Sequence, residues 1–363
     1  MKLIDLIAGA RPNFMKIAPI LHAYERDHSF QKEVSFRLIH TGQHFDTNMS
    51  DLFFEQLNIR KPDIYLNCGG GSQAEQTGKI MVAYEKLLSE CPSDFCIVVG
   101  DVNSTMACTI VAKKMNIRVA HVEAGIRSGD MAMPEEINRI VTDSIADIFF
   151  TTTENAGFAL KKSGVEDSSI FLVGNTMIDT LIANLNRLTQ PSIWIEAKLE
   201  QKKYFLLTLH RPSNVDHKDK LESLLKTVIS HTNGLPIIFP VHPRTRKTLQ
   251  SIGIEAPNLF CVEPMGYLEF IYLVKNAVGV ITDSGGITEE TTVLGIPCIT
   301  LRNSTERPET VEIGTNVLVG DDEKQLASYL DEIIENSWKK GSIPKYWDGN
   351  TSERIISCLK SIL

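Results

Sequence analysis

Three carboxylates stand where apolar runs of the chain end. Asp101 follows Gly100 after the run Phe95 to Val99, Glu123 closes the run that begins at Val119, and Glu135 opens a helix-like segment, Pro134-Glu135-Glu136-Ile137-Asn138-Arg139. Acids converging from several element ends can take and return protons, which is general acid–base chemistry. Acids at strand ends are also ordinary helix caps. Glu135 and Arg139 are spaced as an i,i+4 pair, which on a solvated face is worth only about 0.2 to 0.5 kcal/mol. In that segment Ile137, Ile140, Val141, Ile145 and Ile148 predict the buried stripe and leave Glu135 and Arg139 on another face.

Two glycine turns suit a phosphate. Gly9-Ala10-Arg11-Pro12-Asn13-Phe14-Met15-Lys16 follows the first apolar run, so a helix start and its N–H groups would lie beside two cations, Arg11 and Lys16. Thr282-Asp283-Ser284-Gly285-Gly286-Ile287-Thr288-Glu289-Glu290 repeats the arrangement. There Ser284 can cap the helix, Gly285 and Gly286 present no Cβ, and Glu290 shares a face with Gly286, where its carboxylate can accept ribose hydroxyls. A plain βα turn with solvated cations, and a capped helix with early acids, explain the same spacings. His210 and His242 each close an apolar run and serve either as acid–base groups or as hydrogen-bonded structural residues. Gln43 and His44, in Thr41-Gly42-Gln43-His44, are further polar candidates at a sheet edge. The stretch Gly69-Gly70-Gly71-Ser72-Gln73-Ala74 fits a dinucleotide fingerprint but lacks its βαβ context and reads as a flexible loop; Gly78-Lys79 lacks the rest of a P-loop. No ligand set has metal spacing, so neither a metal nor another cofactor is expected.

The elements that must position these residues come in two series. Apolar runs at Leu3 to Ala8, Phe36 to His40, Phe95 to Val99, Val119 to Val122, Ile148 to Thr152 and Ile170 to Val173 alternate with helix-length segments. Among the latter are Phe14 to Tyr24 and Thr77 to Leu88, the second with Ile80, Val82, Ala83 and Leu87 as its predicted buried face. The pattern restarts with Phe205 to Leu209, Ile237 to Val241, Leu259 to Val262, Val278 to Thr282, Cys298 to Leu301 and Val317 to Val319. Strands apolar on both faces and alternating with helices predict an α/β chain of two Rossmann-like doubly wound domains facing across a cleft. The 363 residues suit two domains of about 150 to 200 residues each. The join is placed at Gly174-Asn175-Thr176, giving domains 1–174 and 175–350, with Met177 to Leu185 as a helix opening the second.

A net charge of -8 argues against a broad nucleic-acid face. No segment approaches about 18 consecutive apolar residues, and the amino terminus carries an acid in a short apolar run, unlike a signal peptide. The seven cysteines form no C-x-x-C pair and lie mostly in apolar runs, as reduced thiols do. Neither nucleic acid nor membrane is an expected partner, and the cytoplasm is the expected compartment.

Together the strings GARPNFMK, TGQH, GDVNSTMA, HVEAGIRS, MPEEINR, VGNTMIDTL, LTLHRP, PVHPRT, TDSGGITEE and STERPET, in order over residues 9 to 310, resemble the non-hydrolysing UDP-N-acetylglucosamine 2-epimerase family, which has the two-domain GT-B architecture. The resemblance implies a UDP-sugar substrate and a homodimer. It implies Arg11 and Lys16 near the diphosphate or sugar, Asp101, Glu123 and Glu135 as the acid/base cluster, and Arg139 as their support. His210 would be catalytic or contact phosphate. Ser284, Gly285, Gly286 and Glu290 would hold diphosphate and ribose, Arg307 would add an anion contact, Phe270 would pack on the uracil, and a helix from Thr351 to Leu363 would cross back to the first domain. The family route implied is expulsion of UDP from C1 as a carboxylate takes the C2 proton, leaving 2-acetamidoglucal, then re-addition of UDP with C2 protonated from the other face.

One segment departs from the family pattern. Between Gly125 and Pro134 the chain has only Ile126-Arg127-Ser128-Gly129-Asp130-Met131-Ala132-Met133, shorter than the Tyr-Ser-Pro form of many bacterial members that take a second, activating UDP-N-acetylglucosamine. The short form resembles members that act on modified sugars such as UDP-2,3-diacetamido-glucuronate. Hydrolysing 2-epimerases differ at Gly9-Ala10-Arg11-Pro12 and Gly100-Asp101-Val102. A glycosyltransferase would need an acceptor site, and a non-catalytic sensor would tolerate loss of the acids, all of which are present.

Overall fold

Runs of residues that are apolar at every position, rather than at alternate ones, form strands covered on both faces. The computed structural model, which describes residues 1–42, 54 and 56–363, realises this twice, in units Met1–Ala183 with Lys345–Leu363, and Asn184–Pro344. In the first unit β1 (Lys2–Ala8), β2 (Val34–His40), β3 (Ile64–Tyr65), β4 (Phe95–Val99), β5 (Arg118–Ala124), β6 (Ile148–Thr151) and β7 (Ile170–Leu172) form one parallel sheet, ordered β3-β2-β1-β4-β5-β6-β7. Its helices are α1 (Arg11–Arg26), α2 (Gln73–Glu90), α3 (Asn103–Lys114), α4 (Pro134–Ile145), α5 (Glu154–Lys162) and α6 (Thr176–Asn184).

The second unit repeats the plan. Helix α7 (Ile193–Glu196) precedes β8 (Phe205–Thr208), α8 (Pro212–Val215), α9 (Lys218–His231), β9 (Ile237–Pro240), α10 (Pro243–Ile252) and β10 (Leu259–Val262). Then come α11 (Tyr267–Asn276), β11 (Gly279–Thr282), α12 (Gly285–Leu294), β12 (Cys298–Thr300), α13 (Pro308–Glu312), β13 (Asn316–Leu318) and α14 (Glu323–Ile334). The sheet is again parallel, ordered β10-β9-β8-β11-β12-β13. Strand order therefore reverses between β1 and β4 in one sheet and between β8 and β11 in the other. Such reversals open a crevice at the carboxyl ends of the strands, because successive connections leave in opposite directions.

The cores follow from the strand sequences. In the first unit Ile7, Ile39, Cys96 and Val98 pack on Ile80, Tyr84, Leu88, Ala107 and Val111. In the second, Phe205, Leu207, Ile237, Phe239 and Ile281 pack on Leu221, Leu225, Val228 and Leu330. The acid inside the first apolar run, Asp5, pairs in register with Arg37 on β2, accepting Nε at 2.7 Å and Nη2 at 2.9 Å, while Tyr84 donates at 2.9 Å. A fully buried carboxylate is tolerated only with partners of this kind.

Three helices differ from expectation. Helix α2 starts at Gln73, within the stretch read as a loop, because Ser72 and Glu75 form a capping box: Glu75 N donates to Ser72 Oγ at 3.2 Å and Ser72 N to Glu75 Oε2 at 2.7 Å. Its buried face is Ile80, Tyr84 and Leu88, whereas Val82 is exposed; the stripe is centred on Tyr84, whose hydroxyl reaches Asp5. Helix α4 is turned round: Glu136, Asn138, Arg139, Thr142 and Asp143 are buried, while Ile137 and Ile140 are 45% and 37% exposed.

Helix α6, expected to open the second half, lies in the first unit up to Ala183. Thr180 Oγ1 donates to Met15 O at 2.5 Å, and Asp179 ties α6 to the last helix, α15 (Thr351–Ile362). The Asp179 carboxylate accepts Thr351 N at 3.0 Å, Ser352 N at 2.7 Å and Ser352 Oγ at 2.8 Å. The chain thus returns to the first unit at Lys345, and Lys360 pairs with Asp27 near the end of α1. Cys68, Cys96, Cys108 and Cys298 are buried free thiols; among the described residues no helix is long and apolar enough to cross a membrane.

Changing Asp179 to Ala strands the donors that cap α15. Urea unfolding of the variant is expected to show a loss of about 2 to 4 kcal/mol, as for buried donors left without an acceptor.

Candidate active site

At the first reversal, Asn13 in the opening turn of α1 stitches β1 to β4. Its Oδ1 accepts Gly9 N at 3.2 Å and Ala10 N at 2.9 Å, and its Nδ2 donates to Val99 O at 2.9 Å. Two amides anticipated for a phosphate are therefore already engaged. One turn on, Lys16 forms an ion pair with Glu123, both largely buried. Gly100, at φ 69°, makes room for that pair: a Cβ there would lie 3.1 Å from Lys16 Nζ and 3.6 Å from Glu123 Oε2.

Glu123 is presented by a distorted strand. Its φ is 73°, in the left-handed region, and the β5–β6 register shifts between Val122 and Ala124. An irregularity of this kind re-aims a side chain that a regular strand would direct elsewhere. Holding a non-glycine residue there costs about 1 to 3 kcal/mol.

Asp101, 29% exposed, accepts Arg139 Nε at 3.1 Å and Nη2 at 2.7 Å. Arg139 Nη1 donates to Glu136 Oε2 at 2.6 Å, and Asn138 Nδ2 donates to Asp101 O at 2.9 Å. Arg139 thus engages the neighbour of Glu135, and Glu135 itself is exposed. Burial pushes the Glu136 carboxyl up, but the Ser128 and Gly129 amides and Arg139 outweigh it and hold the group below the usual carboxylate range. These bonds are why α4 can bury its polar face, and they anchor the short loop after Gly125.

In the second unit the reversal is bridged by Thr208 Oγ1 and Thr282 Oγ1, 2.7 Å apart. The next residue, Asp283, is fully buried and organises the site. It accepts His210 N at 3.1 Å, Arg211 N at 2.9 Å and Asn214 Nδ2 at 3.2 Å, and its Oδ1 lies 2.8 Å from His210 Nδ1. Burial pushes Asp283 up, yet His210 and the Arg211 amide hold it below its ordinary range. With Nδ1 engaged by a carboxylate, the half-exposed His210 has Nε2 for an outside partner. The His242 ring stands 6.2 Å from that of His210 and caps α10, its Nδ1 accepting Arg244 N at 3.2 Å, which puts the hydrogen on Nε2. Burial, then the neighbouring His210 and Arg244, lower His242.

The glycine turn follows. Ser284 occupies the N-cap of α12, but its hydroxyl makes no capping bond. A Cβ at Gly285 would come 3.4 Å from Arg302 Nη1, whose guanidinium pairs with Glu306 at 2.8 and 2.9 Å. Glu306 is pushed up by burial and brought to about 2 by Arg302. Glu290 is buried and pushed up to about 8 by that burial, with Glu289 adding to the effect; Tyr267 donates to its Oε1 at 2.9 Å. Arg307, anticipated as an anion contact, forms a buried ion pair with Glu289. Phe270, one turn beyond Tyr267 on α11, is partly buried.

The structure thus gathers Lys16, Asp101, Glu123 and Arg139 at one reversal and His210, His242, Ser284, Gly285 and Gly286 at the other. Gln43 and His44 lie outside the described residues, as does the side chain of Arg11. Asp283, Arg302, Tyr267 and Glu136 were missed. Only Asp283 carried a local signal, an acid directly after an apolar run that ends beside a histidine-closed one. Among the described residues no group of three His, Cys, Asp or Glu side chains could hold a metal ion.

A family profile described as UDP-N-acetylglucosamine 2-epimerase matches residues 27–360. The chain belongs to the UDP-N-acetylglucosamine 2-epimerase family. It is 42% identical to a Methanocaldococcus jannaschii protein of that name, over 98% of each chain. A Pseudomonas aeruginosa member named UDP-2,3-diacetamido-2,3-dideoxy-D-glucuronate 2-epimerase is 40% identical over 100% of both chains. The M. jannaschii UDP-GlcNAc 2-epimerase crystallised with UDP-GlcNAc and UDP matches with a TM-score of 0.86 and 41% identity, over 99% of this chain and 100% of that one. The likeness to the M. jannaschii structure agrees with the α/β architecture expected from the sequence.

Glu290 offers a check on the electrostatics of this epimerase-family site. A carboxyl raised in the folded state stabilises most below its unfolded pKa, and the contribution is lost as pH rises towards about 8. Glu290→Gln is therefore expected to gain thermal stability relative to the parent between about pH 5 and pH 8, followed by differential scanning calorimetry of both chains.

Proposed function

We propose that this chain interconverts UDP-N-acetylglucosamine and UDP-N-acetylmannosamine without net hydrolysis, by eliminating UDP and adding it back. The observation that carries the reading is the pair of carboxylates at the first reversal, each bound to its own cation: Glu123 to Lys16 and Asp101 to Arg139. The C2 hydrogen of an N-acetyl-hexosamine is not acidic, so a base can remove it only as the C1–O bond to UDP breaks. The product pair is UDP and 2-acetamidoglucal. Return of UDP to C1 with protonation of C2 from the opposite face gives the epimer, which requires acid–base groups for both faces.

Asp101, Glu123 and Glu135 are assigned that work. His210, oriented through Nδ1–H by Asp283, would in its imidazolium form also donate through Nε2 to the departing diphosphate, where negative charge develops. Ser284, Gly285 and Gly286 would cradle the diphosphate, Glu290 would accept ribose hydroxyls, and Phe270 would pack on the uracil. Arg11, Lys16, Gln43, His44, Arg139, His242 and Arg307 complete the proposed binding set. The M. jannaschii relative bound to UDP-GlcNAc and UDP supports a UDP-sugar substrate, and buried free thiols fit the cytoplasm. The short loop anchored on Glu136, with the 40% identity to the diacetamido-glucuronate enzyme, favours a second reading in which the same inversion acts on a modified sugar.

A homodimer is proposed through α4, where burial of the polar face leaves Ile137 and Ile140 exposed, with Met131 exposed just before the helix. Ile137→Asp with Ile140→Asp is expected to halve the particle mass measured by light scattering; an unchanged mass argues against this face.

Incubation with UDP-N-acetylglucosamine in deuterated water is expected to place deuterium at C2 of a UDP-linked mannose-configured product, read by mass spectrometry and NMR. Absence of exchange with both this sugar and UDP-2,3-diacetamido-glucuronate would refute the reaction, and free UDP formed at the turnover rate would favour hydrolysis. Asp101→Asn, Glu123→Gln and Glu135→Gln are each expected to slow exchange by about 100- to 10,000-fold.

A further inference from the structure

Strand β5 carries another ionisable group, which the reaction as described does not use. His121 is fully buried, two residues before Glu123. Its Nδ1 lies 2.7 Å from Asp143 Oδ1 on α4, and its Nε2 lies 2.9 Å from Gly100 O, the carbonyl directly before Asp101. A carbonyl oxygen can only accept. Asp143 is committed to accepting as well: its Oδ2 takes Gly125 N at 3.1 Å and Arg127 Nη1 at 2.6 Å. Burial pushes the Asp143 carboxyl up, but His121 and Arg127 outweigh it and hold the group below its ordinary range. A neutral imidazole offers one N–H and one lone pair, so it would point a lone pair at one of these two acceptors. Only a ring with hydrogen on both nitrogens satisfies both.

We propose that His121 is held as a buried imidazolium and is the positioning residue of the acid–base pair, its two N–H groups fixing the turns that present Asp101 and Glu123. Through Nε2 it holds the Gly100 carbonyl, and with it the start of the Asp101 turn. Through Nδ1 it holds Asp143, which grips the Gly125 amide immediately beyond the left-handed Glu123 and Ala124. The local charges balance as a set rather than pair by pair: His121 and Arg127 share Asp143, Lys16 meets Glu123, and Arg139 serves both Asp101 and Glu136. One ring thus extends the tie between β4 and β5 beyond their last ladder contact, Gly100 N to Val122 O at 3.0 Å, to the Asp143 carboxylate on α4. The inference rests on the reading of Asp101 and Glu123 as the acid–base groups.

The test uses the full chain labelled with 15N-histidine, its nine histidines assigned by comparison with His121→Asn. Both His121 ring nitrogens are expected to show protonated-type shifts, with slowly exchanging N–H signals, in the folded parent chain. In Asp143→Asn the ring is expected to revert to one protonated nitrogen. His121→Asn is expected to lower kcat for C2 exchange about 100-fold, as small misplacements of catalytic groups do, with KM and UDP affinity changed less than about twofold. A single protonated nitrogen in the parent chain overturns the imidazolium, and wild-type kcat in a folded His121→Asn overturns the positioning role. If the parent shows no C2 exchange on either UDP-sugar, the epimerase reading fails, while the nitrogen spectrum still decides the state of His121. Should His121→Asn not fold, His121→Gln takes its place for both the assignment and the kcat measurement.

Discussion

A parallel sheet that grows first to one side and then to the other must reverse once, and at the reversal neighbouring strands end with no connection crossing above them. Everything chemically notable in this chain is built around that constraint. β1 and β4 end at Ala8 and Val99, β8 and β11 at Thr208 and Thr282, and within the next two positions come a glycine turn, Asp101, His210 and Asp283. Each gap is stitched by polar contacts, Asn13 to Val99 in the first unit and, in the second, Thr208 to Thr282 and the His210 and Arg211 amides to Asp283. Both reversals are thus bridged by hydrogen bonds between polar groups.

Crowding carboxylates into such crevices raises a second difficulty, since an ionised acid removed from water must have donors around it. The solutions differ between the units. In the first, the acids are met by Lys16, Arg139, Arg127 and loop amides, and α4 sacrifices its ordinary orientation to bring Arg139 and Asp143 inward. In the second, Asp283 is met mainly by main-chain amides and a histidine, while Glu290 accepts from Tyr267 and is pushed up to about 8 by its burial. One unit therefore presents charged acids with fixed partners. The other holds a carboxyl whose burial favours its neutral form.

Much of this could be read without coordinates because it depends on local pattern. Strands apolar at every position, such as Phe95–Val99, admit few other structures, and glycine turns after them mark where a helix must begin. What escaped reading depends on partners far along the chain. The buried face of α4 follows from its bonds to Asp101 and His121, so a stripe of isoleucines, ordinarily decisive, pointed the wrong way. Glu135 and Glu136 differ by one position, yet a single step around a helix exchanges exposure for burial beside Arg139. The irregularity at Glu123 is a property of the pairing of β5 with β6 and leaves no mark in β5 alone.

That irregularity bears on how the chain tolerates change. A carboxylate on left-handed backbone is distorted in every folded molecule, with or without a ligand, at about 1 to 3 kcal/mol. Folded domains have only about 5 to 15 kcal/mol in hand. A substitution in the Ile7, Val98 and Tyr84 core that a less encumbered relative would survive therefore starts, here, from a smaller margin. The backbone angle of one glutamate thus draws on a margin shared by the whole first unit.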